Sequence, residues 1–471
     1  MTAVTADKSD RAFIGHPKGL GYLAFTEAWE RFSYYGMQSL LVLYMTKQLL
    51  LTPHVENIGG YSVFHGFIEW LYHPGASTQA TASAIFGLYT SLVYFTPFFG
   101  GLLADNVLGK TRTVILGAVL MAAGHFLMAF DQSFLLALAC LMLGTGCFKG
   151  NIAGQVSSLY PDGDLRRADA FQIFYLGINA GVIAAPLIAG TLGEKVGWHY
   201  GFGVAGVGML LALVIYLFGR RHLPMDPPRK AQVGMGADAP AKPTMSARDW
   251  RTIGLLVLLL PVLTASVLCN QQIFNAYLSW ADTAVNLEFN GEKVPTTWLI
   301  TLDAIVSVSF LAGMVVFWRV WKTRFKEPDE LGKLTIGTGI SVLGVLCLAA
   351  GAAQAAATGT KVDILWCVGF HVLNSIAFAN MLPVSLALYA RAAPKAAQAS
   401  IIGIYYLHLF AGNQTVGILG GLLEKMPATQ FWLMHAAIAG GAFVVFLLVG
   451  RVFARLLHTD QVGGGPAPVA P

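Results

Sequence analysis

Twelve apolar runs, each long enough to cross about 30 Å of hydrocarbon as a helix, set the terms for this chain of 471 residues. They fall near residues 20–47, 82–104, 113–130, 134–158, 169–193, 199–219, 251–275, 298–319, 334–356, 363–390, 399–422 and 430–454. In hydrocarbon every backbone N–H and C=O must be satisfied within the protein, so runs of this length fold as helices packed on one another. Charged residues make up only 12% of the chain, against about 25% in a soluble domain. The expectation is an all-α membrane protein of twelve transmembrane helices.

The basic residues set the orientation. With the amino terminus inside, 23 of the 30 Lys and Arg fall in tails and loops on that side and five on the other, while Arg31 and Lys149 lie within apolar runs. By the excess of positive charge in cytoplasmic loops, both termini are expected inside, in a bacterial-type inner (plasma) membrane. The same count leaves no basic patch that calls for nucleic acid. Residues 1–19 are polar and the run after them is long and charged, so no cleaved signal peptide is expected. Cys140, Cys147, Cys269, Cys347 and Cys367 lie in apolar runs without metal-ligand spacing and read as small buried hydrophobes.

Six runs precede the longest inside loop and six follow it. That loop, RRHLPMDPPRKAQVGMGADAPAKP, is rich in Pro, Gly and basic residues and reads as a linker. A six-plus-six layout with a basic linker is that of major-facilitator transporters. The expected units are an N-terminal six-helix bundle (1–219), a cytoplasmic linker (220–250), a C-terminal six-helix bundle (251–457) and a disordered tail (458–471). Between the first two runs, the aromatic-rich stretch His54–Pro74 reads as a short interfacial helix.

The first run carries the most informative anomaly. Glu27, Glu30 and Arg31 stand in an otherwise apolar segment, and a charge at mid-membrane costs roughly 2.5–3.5 kcal/mol on insertion scales. With Tyr34 and Tyr35 they fall at i, i+3, i+4, i+7 and i+8, one face of a helix, which must look into protein or a water-filled cavity. Lys149, deep in the fourth run, needs a carboxylate partner, and the first-run glutamates are the acids available. The charges read as one network of Glu27, Glu30, Arg31 and Lys149, whose carboxylates are tuned by burial on one side and cations on the other. In the fifth run Asn179 follows Tyr175 by four residues, either gluing helices together or lining a cavity. The turn GGLLADNVLGKTR gathers Asp105, Lys110 and Arg112 at the inner surface; it resembles the major-facilitator loop signature, where such charges latch helix ends.

Four motifs then converge. Glu27-x-x-Glu30-Arg31-Phe32-Ser33-Tyr34-Tyr35-Gly36, Tyr89-x4-Tyr94-x2-Pro97, Lys149-x-Asn151 and Phe174-Tyr175-Leu176-Gly177-Ile178-Asn179-Ala180-Gly181 resemble, in order, the signatures of the proton-dependent oligopeptide transporter (POT/PTR) family of the major facilitator superfamily. The resemblance implies the major facilitator fold of two six-helix bundles and proton-coupled symport of di- and tripeptides by alternating access. It implies that Arg31 and Lys149 meet the peptide carboxylate, that Glu27 and Glu30 serve proton coupling, and that Tyr34, Tyr35, Tyr94, Tyr175 and Asn179 line the peptide site.

The carboxy-terminal half departs from that pattern. Phe378 stands where the family's tenth span usually carries a glutamate, Asn270 where the seventh often has an acid, and Tyr405 where the eleventh has a cavity tryptophan. Asp303, in the eighth run, is the acid well within a carboxy-terminal span. It is expected to take part in proton coupling, accepting an ammonium or pairing with Arg31, unless it lies hydrated near the outer end. His371 and His408 are further intramembrane candidates, for packing or for proton relay.

These substitutions leave a second reading, a divergent member importing a modified peptide, another carboxylate or an anion. No GxSxG, HExxH or paired catalytic aspartates occur in the runs, so an enzyme is not expected, and the intact charged motifs argue against a non-transporting sensor. No cofactor or metal is expected beyond protons as the coupling ion. The expected partners are short peptides or related carboxylates and the lipid bilayer, with the chain a monomer.

Overall fold

The computed structural model describes residues 10–161, 164–224, 245–394 and 396–457. The apolar runs within them are helical. The first half holds α1 (Lys18–Tyr44), the short α2 (Tyr61–Tyr72), α3 (Thr78–Leu103), α4 (Lys110–Leu127), α5 (Phe134–Ser158), α6 (Arg166–Ala185) and α7 (Trp198–Gly219). The second holds α8 (Ala247–Gln271), the short α9 (Ala276–Ala284), α10 (Trp298–Trp321), α11 (Glu330–Thr358), α12 (Leu365–Ala392), α13 (Gln398–Tyr405), α14 (Leu407–Gly420) and α15 (Ala428–Leu457). A small hairpin pairing Glu288–Phe289 with Glu292–Lys293 leads from α9 to α10. The central part of the expected linker (225–244) and the expected tail lie outside the described residues.

Nine stretches among the described residues are long and apolar enough to cross a membrane. Charged residues in two cases and a helix break in the third explain why three of the expected runs are not among them. Helix α1 carries Glu27, Glu30 and Arg31, α4 opens on Lys110 and Arg112, and the eleventh run is broken at Tyr406 into α13 and α14.

The helix starts follow local chemistry. Ser77 accepts from the Ala80 N–H at the head of α3. Ser246 and Asp249 form a reciprocal capping box on α8, and Asp329 accepts from the Gly332 N–H on α11, each satisfying amides that have no partner within the helix. Gly109, at φ +80, turns the chain from α3 into α4, a conformation a Cβ would oppose.

Packing brings α1 against α6 and α7, α4 against α5, and α11 against α12 and α15. The halves meet where α3 lies on α14 and α6 on α10. At the first crossing a Cβ on Gly87 would stand 2.5 Å from the Gly417 Cα, so the two backbones touch, as small residues permit in membrane helix pairs.

Candidate functional site

On α1, Glu27 and Arg31 are one turn apart, and Arg31 Nε lies 2.9 Å from Glu27 Oε1 and 2.7 Å from Glu30 Oε2. The contact to Glu27 has hydrogen-bond geometry; Glu30 is held by charge alone. All three side chains are buried. The glycines of α6 make room for this face. A Cβ on Gly181 would stand 2.3 Å from the Ala28 carbonyl oxygen and 3.0 Å from Arg31 Cβ, and one on Gly177 would stand 2.8 Å from the Ala24 carbonyl. The fifth-run motif therefore seats α6 on α1 beside the arginine.

The cluster does not satisfy itself. Arg31 Nη2, Glu27 Oε2 and both Glu30 oxygens are buried without a hydrogen-bond partner. Each such group costs about 1–3 kcal/mol, more when charged, so their gathering in one place marks a position that a ligand or a proton completes.

Around it stand aromatic walls and a second cation. The Arg31 guanidinium lies 5.7 Å from the Tyr34 ring centre, and Tyr34 meets Tyr35 edge to face at 5.3 Å. Lys149 Nζ lies 5.0 Å from the Tyr94 ring centre and within electrostatic reach of Arg31, Glu30 and Glu27. The second half comes in from the opposite side. Gln271 of α8 is hydrogen-bonded to Tyr94, Phe274 packs 5.8 Å from Tyr35, and Tyr406 is within reach of Tyr94 and Tyr175. Asn179 donates to the Tyr175 carbonyl at 2.9 Å within α6. Two carboxylates and two cations thus gather where side chains of both halves meet. A planar guanidinium with a free N–H edge suits a carboxylate, and the glutamates can take up a proton.

Three residues expected at this site from the second half lie elsewhere. Asn270 and Phe378 line a small pocket with Ser266, Ser341 and Asn374, between α8, α11 and α12. Tyr405 is buried with its hydroxyl at Ser385 Oγ (2.9 Å) and the Leu382 carbonyl (3.2 Å). Their sequence neighbours Gln271 and Tyr406 reach the first half instead, because one residue along a helix turns the side chain by about 100°. Asp303 is bonded not to Arg31 but to His371, Oδ1 to Nδ1, at 2.9 Å, while Tyr35 lies within electrostatic reach of it. His408 bonds the Tyr405 carbonyl and packs on its ring at 4.5 Å. Tyr89, quoted in the second motif but not assigned a role, has a buried, unpartnered hydroxyl within electrostatic reach of Glu30.

Among the described residues Asp105 makes no ion pair with Lys110 or Arg112, and Lys110 reaches toward Gly154 of α5. The opposite end is clasped. Lys47 Nζ meets Asp282 Oδ2 at 2.7 Å across the halves, and the Glu194 carboxylate accepts the N–H groups of Thr296 and Thr297 at 2.9 and 2.8 Å. Trp298 Nε1 donates to Thr191 Oγ1 at 2.8 Å and Ser83 Oγ to Asn275 Oδ1 at 2.9 Å. None of these residues belongs to a motif that sequence reading singled out.

Comparison with known proteins decides the family: the POT family description (PTR2) matches residues 111–238 and 241–436. The chain belongs to the POT family. Among its relatives, the peptide transporter YePEPT of Yersinia enterocolitica is 29% identical over 98% of this chain and 99% of its own length. A di-/tripeptide transporter of Lactococcus lactis is 41% identical over 46% of this chain and 41% of its own. The crystal structure of a peptide transporter POT in complex with sulfate aligns with a TM-score of 0.78 at 26% identity, covering 96% of this chain and 97% of that one. A mutant peptide transporter POT in complex with alafosfalin aligns at 0.77 and 27% identity, covering 94% and 96%. This POT chain is an integral membrane protein with the all-α major facilitator fold of two helical bundles, with which twelve spans are consistent. Among the described residues no cluster of three or more His, Cys, Asp or Glu could hold a metal ion.

Proposed function

We propose that this chain is a proton-coupled symporter of di- and tripeptides, working by alternating access in a bacterial-type inner membrane with both termini cytoplasmic. Residues 1–219 and 251–457 are its two moving bundles, 220–250 joins them, and the chain acts as a monomer with protons as its coupling ion. The observation that carries the reading is the buried cluster on α1, with Arg31 Nη2 unpaired beside two carboxylates and within reach of Lys149. A peptide carboxylate takes Arg31 and Lys149. A proton on Glu30 or Glu27 removes the anion that competes for the same guanidinium, so proton and substrate load together. The clasped far end and an Asp105 turn without ion pairs to Lys110 or Arg112 support a conformation closed outward and open inward.

The test is uptake of labelled dialanine into proteoliposomes under an inward proton gradient, with free amino acids, nitrate and N-acetylated dialanine as competitors. Accumulation competed by dialanine supports the reading, and its absence at every pH overturns it.

One observation favours the second reading, a modified peptide or other carboxylate. Phe378 and Asn270 offer no acid for a peptide amine, and the acid present, Asp303, already holds His371. Competition by N-acetylated dialanine equal to that by dialanine would favour it.

A further inference from the structure

Asp303, His371 and Tyr277 come from three different helices, α10, α12 and α9, and form one hydrogen-bonded chain. Asp303 Oδ1 lies 2.9 Å from His371 Nδ1, and His371 Nε2 lies 2.7 Å from Tyr277 Oη. His371 and Tyr277 are fully buried, while the Asp303 side chain is 15% exposed and is the end of the chain open to a proton. An ionised carboxylate only accepts, so Nδ1 of a neutral His371 carries the hydrogen, and Nε2 accepts from the Tyr277 hydroxyl.

We infer that this trio is a proton-binding unit of the second half, which reports its occupancy through α9 to the far-end clasp. The inference rests on the proton-coupled reading above. One proton added to the trio resides on His371 Nε2 and makes an imidazolium, whose charge cancels that of Asp303. Both ring nitrogens then donate. The Tyr277 hydroxyl, now receiving at its oxygen, must turn its own hydrogen elsewhere, and Cys367, already hydrogen-bonded to it, is the weak acceptor at hand. Tyr277 is therefore held by a strong acceptor when the trio is unprotonated, and its hydroxyl hydrogen only by a sulfur when it is protonated.

The consequence travels along a short lever. Helix α9 is nine residues long and follows Asn275, whose backbone at φ −123, ψ −110 breaks it from α8. Asp282 stands on the same helix, about one and a half turns beyond Tyr277, and holds Lys47 of the first half. The other groups facing the trio are few. Tyr35 approaches from α1, Cys367 lies on α12 itself, and half-buried Cys347 of α11 packs against Gly369. Helix α6 meets α10 through the uncharged contact of Thr301 to the Ile183 carbonyl. One turn below, Ser307 and Ser375 share a hydrogen bond at 3.0 Å. At the other end of α9, Lys47 and Lys293 face Asp282. No cation in these contacts competes for Asp303.

The experiment is proton-driven uptake of labelled dialanine into proteoliposomes, followed across external pH from about 5 to 8. It compares wild type, His371→Gln, which hydrogen-bonds but does not titrate, and Tyr277→Phe, which keeps the ring and removes the hydroxyl. The expected result is a profile flattened about tenfold in His371→Gln and displaced by about one pH unit in Tyr277→Phe. Should His371→Gln fail to fold, the Tyr277→Phe profile decides alone. Variant profiles that superpose on the wild type's overturn the inference and leave the proton-coupled reading standing. Wild type without proton-driven uptake at any pH overturns that reading instead.

Discussion

Lys47 Nζ and Asp282 Oδ2 lie 2.7 Å apart and belong to opposite halves of the chain. Asp282 also takes Lys293 at 2.7 Å and the Thr296 hydroxyl at 2.7 Å, so one carboxylate gathers two cations and a hydroxyl where the halves close. Its partner Lys47 is 36% exposed, and an ion pair screened to that degree is worth about 1 kcal/mol. Asp282→Asn should therefore shift the balance toward the outward-open form by about fivefold. Labelling of a single cysteine introduced beside Lys47 with an impermeant maleimide reads that shift.

The same carboxylate predicts what the clasp does not sense. Burial would raise its pKa, but its bonds to Lys293, Lys47 and Thr296 more than offset that and hold it at about 2. A depressed carboxylate contributes its stabilisation above the free value near 4, and loses it only as pH falls through about 4 toward 2. Maleimide labelling of the His371→Gln variant should then be flat between about pH 5 and 8. A change within that window would assign the clasp a proton of its own.

Arg31 cannot be exchanged for lysine without cost. Its Nε is committed to the glutamates while Nη2 is unpaired, a division that a single ammonium cannot reproduce. Arg31→Lys should weaken dipeptide binding by at least about tenfold, roughly the 1.5–3 kcal/mol of a charged hydrogen bond, measured as the concentration of unlabelled dialanine that halves uptake.

Gly181 is where α6 touches the site. A Cβ there would meet the Ala28 carbonyl at 2.3 Å and Arg31 Cβ at 3.0 Å, so Gly181→Ala must push α6 from α1. The expected cost is about 1–3 kcal/mol, seen as a lower melting temperature in detergent, together with weaker dialanine binding because Arg31 moves. Gly203, which has open space around it, should accept alanine with neither effect.

The first-half site was legible because its physics is local. Glu27, Glu30, Arg31, Tyr34 and Tyr35 share one helix face, and charges in hydrocarbon need partners whatever the fold. Helix spans were legible for the same reason, and the helix expected within His54–Pro74 is found at Tyr61–Tyr72. The second-half site was less so. Asn270 and Phe378 were placed by register against an expected acid, yet the packing of α8, α11 and α12 gathers both in a small pocket within their own bundle. The clasp was illegible. Lys47, Glu194, Asp282 and Thr296 are far apart in the chain, stand in no motif, and acquire their roles only when two bundles meet. Asp303 was left open between an ammonium site, a partner for Arg31 and a hydrated outer position, because nothing in the sequence places His371 a hydrogen bond away.

The central claim is that the α1 glutamates carry the proton that admits a peptide carboxylate to Arg31. Uphill accumulation of labelled dialanine under an inward proton gradient, compared between wild type and Glu30→Gln at matched protein in proteoliposomes, tests it most directly. Accumulation by wild type that falls at least about tenfold in Glu30→Gln is the predicted result; Glu30→Gln accumulating dialanine as steeply as wild type would contradict it.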